Sequence, residues 1–436
     1  MTQLLSEIAQ EKGIRYFLIS FTDLFGVQRS KLVPAAAIDT MAKQGAGFAG
    51  FAAWLDMTPA DPDILAIPDA HSLFQLPWQP EVAWLPSDLY GTDGQAITQT
   101  PRWLLKHVLS QAAALGYRPR IGVECEYFLL SADGAQLSDV RDQQGKPCYD
   151  QQSLMRRFEV IAEICDAMLG LGWGAYQNDH EDANGQFEMN WTYADALVTA
   201  DRHAFFKYMV KAIAEKHGLR ATFMPKPFPH LTGNGCHTHL SLWDKDGAVN
   251  LFHNDQGELG LSLLAYQFIG GVLSSADALC AFTNPTVNSY KRINAPVTAS
   301  GATWAPSTIS YSGNNRTHMI RIPEAGRFEF RLADGAANPY LLPAALIAAG
   351  LDGITQNRDP GKRADNNNYT DPLPPATAQK LPGNLLDALR CLETNPVMAQ
   401  ALGRNFVHSY AKLKYQEWHD YSTRISPWEL ENTLDC

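Results

Sequence analysis

The sequence predicts an α+β fold: a small β-rich unit over residues 1–98, then a larger α+β unit over residues 99–436. Three observations predict it. A chain of 436 residues exceeds what one hydrophobic core usually serves, so two units are expected. β-formers and turn residues dominate up to Gly94, whereas capped segments of helical period begin at Thr100. Between the later helices, short runs alternate charged and apolar residues with the period of a strand.

Residues 1–13 read as a short amphipathic helix. Residues 15–24 are rich in β-formers, Phe25-Gly26 supplies a turn, and residues 27–33 return as a partner strand. Residues 58–94 are dense in Pro, Asp and Gly, with apolar runs at 64–67 and 82–85, and the end of this segment is the predicted boundary. A helix opens with Thr100 as N-cap and Pro101 in the first turn, carries Leu104, Leu105, Val108, Leu109, Ala112 and Leu115 on one face, and stops at Gly116. A strand is expected at 121–130. Helices follow at 151–169, where Leu154, Phe158, Ile161, Cys165 and Met168 have helical spacing, and at 201–217, ending at Gly218. Strand-like runs at 236–243, 317–322 and 327–332 are mixed with further helices, and helices close the chain after Gly383.

The formal charge of -11 and the lack of a Lys/Arg-rich tract exclude nucleic acid as an expected partner. No basic start, apolar core and cleavage site announce a secretory signal. The most apolar stretch, residues 340–351, is shorter than a bilayer span and contains Pro343, so no membrane partner is expected. Seven scattered cysteines without C-x-x-C argue against a disulfide framework or a zinc site, and the cytoplasm is the expected compartment.

In IGVECEYFLL, Glu124 and Glu126 stand two apart on a strand-like run and so share a face, with Val123, Cys125 and Tyr127 opposite. The device recurs. HTHLSLW puts His237, His239 and Ser241 on one face, and RFEFRL puts Arg327, Glu329 and Arg331 opposite Phe328, Phe330 and Leu332, a set suited to a core. HEDANGQFEMNW adds Glu181 and Glu188 around a Gly185 turn. Were these carboxylates to converge with His237, bare charges at ~5 Å and a dielectric near ~20 would repel by roughly 3 kcal/mol per pair, so cations would be required. Oxygen ligands with one histidine favour magnesium or manganese over zinc. No P-loop is present, and Gly233-Asn234-Gly235 reads as a turn that can bring backbone close to a ligand. Metals, several arginines and no strong nucleophile suit phosphoryl transfer.

Taken in order, these segments resemble glutamine synthetase along nearly the whole chain. FTDLFGVQRSKLVPA resembles its opening hairpin, GVECEYFLL and HEDANGQFE its metal-binding glutamates, and GNGCHTHLSLW its glycine-histidine strand. NPTVNSYKRI, NRTHMIRIP and RFEFRLADGAANPYL resemble its later motifs. The resemblance implies an N-terminal β-grasp domain and a catalytic domain with a curved antiparallel sheet, in a homo-oligomer, a dodecamer of two stacked hexameric rings with active sites between subunits. It implies ATP, glutamate and an amine as small-molecule partners. Glu126, Glu181 and Glu188 would hold one metal, and Glu124, His237 and Glu329 the other. Arg292 and Gly233 would bind glutamate, Arg331 would steady its γ-carboxyl, and Arg316, Arg321 and Arg327 would face the nucleotide phosphates. His239 and Ser241 would contact ATP, and Tyr193 would stack on adenine.

The chain departs from ammonia-using members at two places. Their F-D-G-S-S-like turn carries an aspartate against ammonium; here the stretch reads Phe48-Ala49-Gly50-Phe51. Their flap ends in a glutamate before A-P-V; here Asn294 stands there. Asp63 and Glu181 remain to hold and deprotonate an alkylammonium. The expected acceptor is therefore a short alkylamine, methylamine foremost, with ammonia or a polyamine as alternatives. Tyr369 lies in a loop comparable to one that is adenylylated in some relatives, but the surrounding N-N-N-Y-T-D-P differs, and no modification is expected.

Overall fold

The computed structural model describes residues 4–298, 300–372 and 379–436. Its N-terminal part is a six-stranded mixed sheet. Tyr16–Thr22 pairs antiparallel with Gln28–Pro34 through the Phe25-Gly26 turn, and parallel with Val82–Gly91 on its other side. Ile64–Pro68 and Ala46–Phe48 complete the path, and Phe74–Gln75 pairs with Val82–Gly91. The helices Leu5–Lys12 and Ile38–Gln44 supply Leu5, Ala9 and Ile38 to a small core beneath this sheet, with Phe17, Ile19 and Phe21. The parallel central pair flanked by antiparallel strands is the expected β-grasp pattern.

The remainder is built on two further sheets. One has four strands, in the order Leu219–Thr222, Tyr127–Ser131, Gln186–Trp191, Ala175–His180. The other has six: Ala194–Asp195, Tyr117–Cys125, Cys236–Asp244, Phe328–Phe330, Ile320–Arg321, Tyr311–Ser312, antiparallel except for the last pair. A large core under them includes Phe205, Phe206, Phe328, Phe330 and the helix Leu341–Thr355, whose apolar run lies almost wholly buried. No single helix among the described residues is long and apolar enough to cross a membrane.

Several expectations shift. The run at 121–130 is not one strand: it breaks at Glu126, the Glu126 N–H turning to the Gly235 carbonyl at 3.1 Å, and its two halves enter different sheets. The helix expected at 151–169 is interrupted, giving Gln151–Met155 and Phe158–Gly170. Arg156 and Arg157 at the break reach sideways to Asp139 and Ser138, the helical phase restarts, and Phe158 is left exposed. Leu115, placed on the apolar face of Pro101–Ala114, is exposed, and Thr100 makes no side-chain cap. The helix expected from 201 begins at Ala196.

Candidate active site

The break at Glu126 is what assembles the site. Glu124 ends a strand of the six-stranded sheet, beside His237 in register, while Glu126 sits between the sheets. Glu329 comes from the neighbouring Phe328–Phe330 strand, and Glu181 and Glu188 flank the Asp182–Gly185 turn of the other sheet. All five, with His237, line one cavity of about 120 Å³, together with Arg316, Arg321 and Arg331. Ligand-capable atoms of Glu124, His237 and Glu329 lie within 4.8 Å of one another, as do those of Glu126, Glu188 and His237, and of Asp179, Glu181 and Glu188.

Two halves of this cavity differ electrically. Burial resists charge on Glu329, but Arg331, with His237 and His239, holds its carboxyl down at about 2. Arg331 and Arg321 both donate to it, Arg321 at 2.7 Å. Burial likewise resists charge on Glu124, and His239 and His237 more than offset it. On the far side the Asp182 N–H and His180 oppose the crowding without overcoming it. Burial and then the charge of Glu126 push Glu181 well up, burial and then Glu124 do the same to Glu188, and burial with Glu126 and Glu124 pushes Asp179 to about 6. The His237 Nε2 is buried without a partner among the described residues. Closely spaced carboxylates kept from ionising, with His237 Nδ1 3.5 Å from Glu124, 3.9 Å from Glu126 and 3.7 Å from Glu329, fit hard divalent ions of the magnesium or manganese kind.

A second cavity, of about 580 Å³, opens alongside and shares Glu124. Tyr193, His239, Ser241 and Arg327 line it, with Arg120, Tyr176 and Trp243. Arg120 lies over the Trp243 ring, 4.1 Å from its centre, a flat cationic surface suited to a nucleotide. Arg327 donates to His239 Nδ1, which leaves the proton on Nε2 to be donated to Glu124 at 2.8 Å. The volume is that of ordinary small-molecule sites, ~300–1,000 Å³.

Other expected residues lie outside the lining of both cavities. Arg292 is buried, donating to the carbonyls of Leu332 at 2.9 Å and Arg331 at 3.4 Å. Gly233 lies against it: a Cβ there would meet the Arg292 side chain and the Pro225 carbonyl. Asn294 caps Ser289–Ile293, donates to Gly383 O at 2.8 Å, and lines a different groove, with Tyr290 and Trp418. Ala49 and Asp63 are exposed on the N-terminal sheet unit, and among the described residues neither lines either cavity.

Sequence reasoning passed over others. Asp179 stands two before Glu181, the same i, i+2 device as Glu124 and Glu126, and could have been read that way. Gly235 donates to Glu126 at 2.6 Å, and Gln186 bridges Glu126, Gly233 O and Asn234. Asp142, in a polar loop with no periodic signal, holds the turn by accepting from His180 at 2.7 Å, Asn184 at 2.9 Å and Gly185 at 2.6 Å. On the reverse face of the metal-facing strands, Cys125, Cys236 and His203 come within 4.8 Å of one another, which the absence of C-x-x-C had hidden.

A carboxylate cavity joined to a nucleotide-sized one defines a phosphoryl-transfer class of enzyme. The chain belongs to the glutamine synthetase family, whose catalytic-domain model matches residues 98–433, and is thereby an ATP-dependent carboxylate-amine ligase. It is 59% identical over 435 residues, all of both chains, to the glutamine synthetase of Rhizobium meliloti (strain 1021). It is 42% identical over 438 residues, 98% of each chain, to the glutamate--methylamine ligase of Methyloversatilis universalis. A solved structure named GmaS/ADP complex-Conformation 1 matches all of both chains at 64% identity with a TM-score of 0.96.

Proposed function

We propose that this protein joins the γ-carboxyl of glutamate to a small amine, methylamine favoured, by way of γ-glutamyl phosphate. The observation that carries the reading is the shared wall at Glu124, where the nucleotide-sized cavity opens on the carboxylate cavity. ATP in the larger cavity directs its γ-phosphate past His239 and Arg327 toward glutamate beside Arg331 and Arg316. Divalent ions, when bound by Glu124, His237 and Glu329 and by Glu126, Glu181 and Glu188, supply charge neutralisation of the phosphates. Arg331, Arg321 and Arg316 stabilise the transferring group, and the γ-carboxylate oxygen becomes the bridge of the acyl phosphate.

An alkylammonium must lose a proton before it attacks. Asp179 and Glu181, crowded carboxyls held toward neutrality, would bind it and take that proton, with bound cations supplying the charge that relieves the crowding. Ala49 and Asp63, exposed and outside both cavities of their own chain, are then supplied by the β-rich unit, residues 1–98, to a neighbouring subunit's site in a ring oligomer. The likeness to the methylamine ligase supports an alkylamine, as do Ala49 and Asn294 in place of carboxylates. Ammonia is the second reading, because relatives at 59% and 58% identity carry the name glutamine synthetase. Burying one methyl gives only ~0.8 kcal/mol, a few-fold preference, so both acceptors react and the ratio decides. ATP turnover with glutamate and either amine tests this: a higher kcat/KM for methylamine is expected, and a higher one for ammonium makes the protein a glutamine synthetase.

A further inference from the structure

The segment after Asn294 returns to the carboxylate cavity at Trp304, which lines it beside Arg316, Arg331 and Glu181. Trp304 holds a left-handed backbone, φ 54, a conformation a bulky side chain rarely keeps unless its surroundings use it. Its indole N–H is buried without a hydrogen-bond partner among the described residues, and so is the Tyr369 hydroxyl. Tyr369 itself lies outside the cavity lining, with the Thr303 side chain, the Trp304 backbone and the charges of Arg331 and Arg292 as its neighbours. The Arg331 Nε is a second unpartnered donor on the cavity itself. The Trp304 indole N–H and the Arg331 Nε, with Arg316 and Arg321 on the same small cavity, describe a receptor for an anionic oxygen, because a buried donor left unpaired is costly unless a ligand completes it.

Resting on the glutamate reading above, we infer that Trp304 is a substrate-binding residue, its indole N–H donating to a carboxylate oxygen of glutamate. Trp304 then closes over the amino acid, and its backbone conformation is held by that contact.

The shared chemistry, an oxyanion, could also come from the transferring phosphate, and the test separates the two. Trp304→Phe keeps an aromatic ring and Trp304→Leu an apolar side chain, and both remove the indole N–H. Glutamate binding is measured by calorimetry with magnesium and ADP present, and KM for glutamate and for ATP by turnover with methylamine and with ammonium, alongside melting temperatures. The expected result is glutamate binding and KM weakened roughly tenfold to a hundredfold in each variant, with both amines, at unchanged ATP KM and melting temperature. Unchanged glutamate binding in both variants overturns the inference, as does a loss confined to kcat or to ATP. A wild-type chain that binds no glutamate at all would instead sink the parent reading, and this one with it.

Discussion

Gly235 donates its backbone N–H to Glu126 Oε2 at 2.6 Å, and a Cβ on Gly235 would stand 2.9 Å from His237 Nε2, 3.0 Å from an Arg292 nitrogen and 3.1 Å from Glu126 Oε1. One backbone atom therefore fixes a carboxylate while leaving room for three side chains that converge on it. Gly235→Ala would keep the hydrogen bond and push those three apart. The expected loss is roughly 10–100-fold in kcat/KM, typical of disturbing groups that orient metal ligands, with the fold intact by circular dichroism. Wild-type activity in this variant would mean that the close approach is incidental.

Metal binding should release protons. Glu181 and Glu188 are held well above the ordinary carboxyl range by burial and their neighbours, and Asp179 is pushed to about 6, so cations must displace protons from this side of the cavity. Apparent affinity for manganese is expected to rise as pH climbs through about 6, and calorimetric heats to differ between buffers of different ionisation enthalpy. Affinity independent of pH would contradict the crowding.

Asp142 holds the turn between Glu181 and Glu188. Burial resists its charge, but hydrogen bonds from His180, Asn184 and Gly185 lower its pKa to about 2. A depressed carboxyl stabilises the fold fully above its unfolded value of 3.8, and the contribution disappears as pH falls toward about 2. Asp142→Asn should cost about 1–3 kcal/mol at neutral pH and flatten the acid limb of the stability profile between those two values. Denaturant melts of both proteins across that range check it; parallel acid limbs would refute the assignment.

Arg102 joins the N-terminal sheet to the catalytic helices, bonding Asp69 at 2.8 Å, Asp88 at 3.1 Å and Asp201 at 3.0 Å while only 4% exposed. Its removal strands buried carboxylates. Arg102→Ala should lower unfolding free energy by about 3–5 kcal/mol, and a cost below about 1 kcal/mol would show that water replaces the guanidinium.

What was legible in the sequence was local. Alternation in RFEFRL put Phe328, Phe330 and Leu332 in the core, where all three lie fully buried with Glu329 turned to the cavity. The same alternation marked Glu124 and Glu126, though it could not foresee that the strand changes sheet between them, because that break is made by Gly235, over a hundred residues away. Phe158 misled for a related reason: helical spacing continued through Arg156 and Arg157, but their ion-pair and hydrogen-bond partners outweighed it. Asp142 acts from a loop, and both it and Gln186, at the start of Gln186–Trp191, act through polar contacts, which leave no period to read.

The central claim is that ATP activates glutamate as an acyl phosphate, in which a γ-carboxylate oxygen bridges carbon and phosphorus. Glutamate labelled with ¹⁸O in its γ-carboxyl, turned over with ATP, magnesium and methylamine, tests it most directly by mass spectrometry of the released phosphate. The account predicts one ¹⁸O in each phosphate and one in each γ-glutamyl amide; unlabelled phosphate would contradict it.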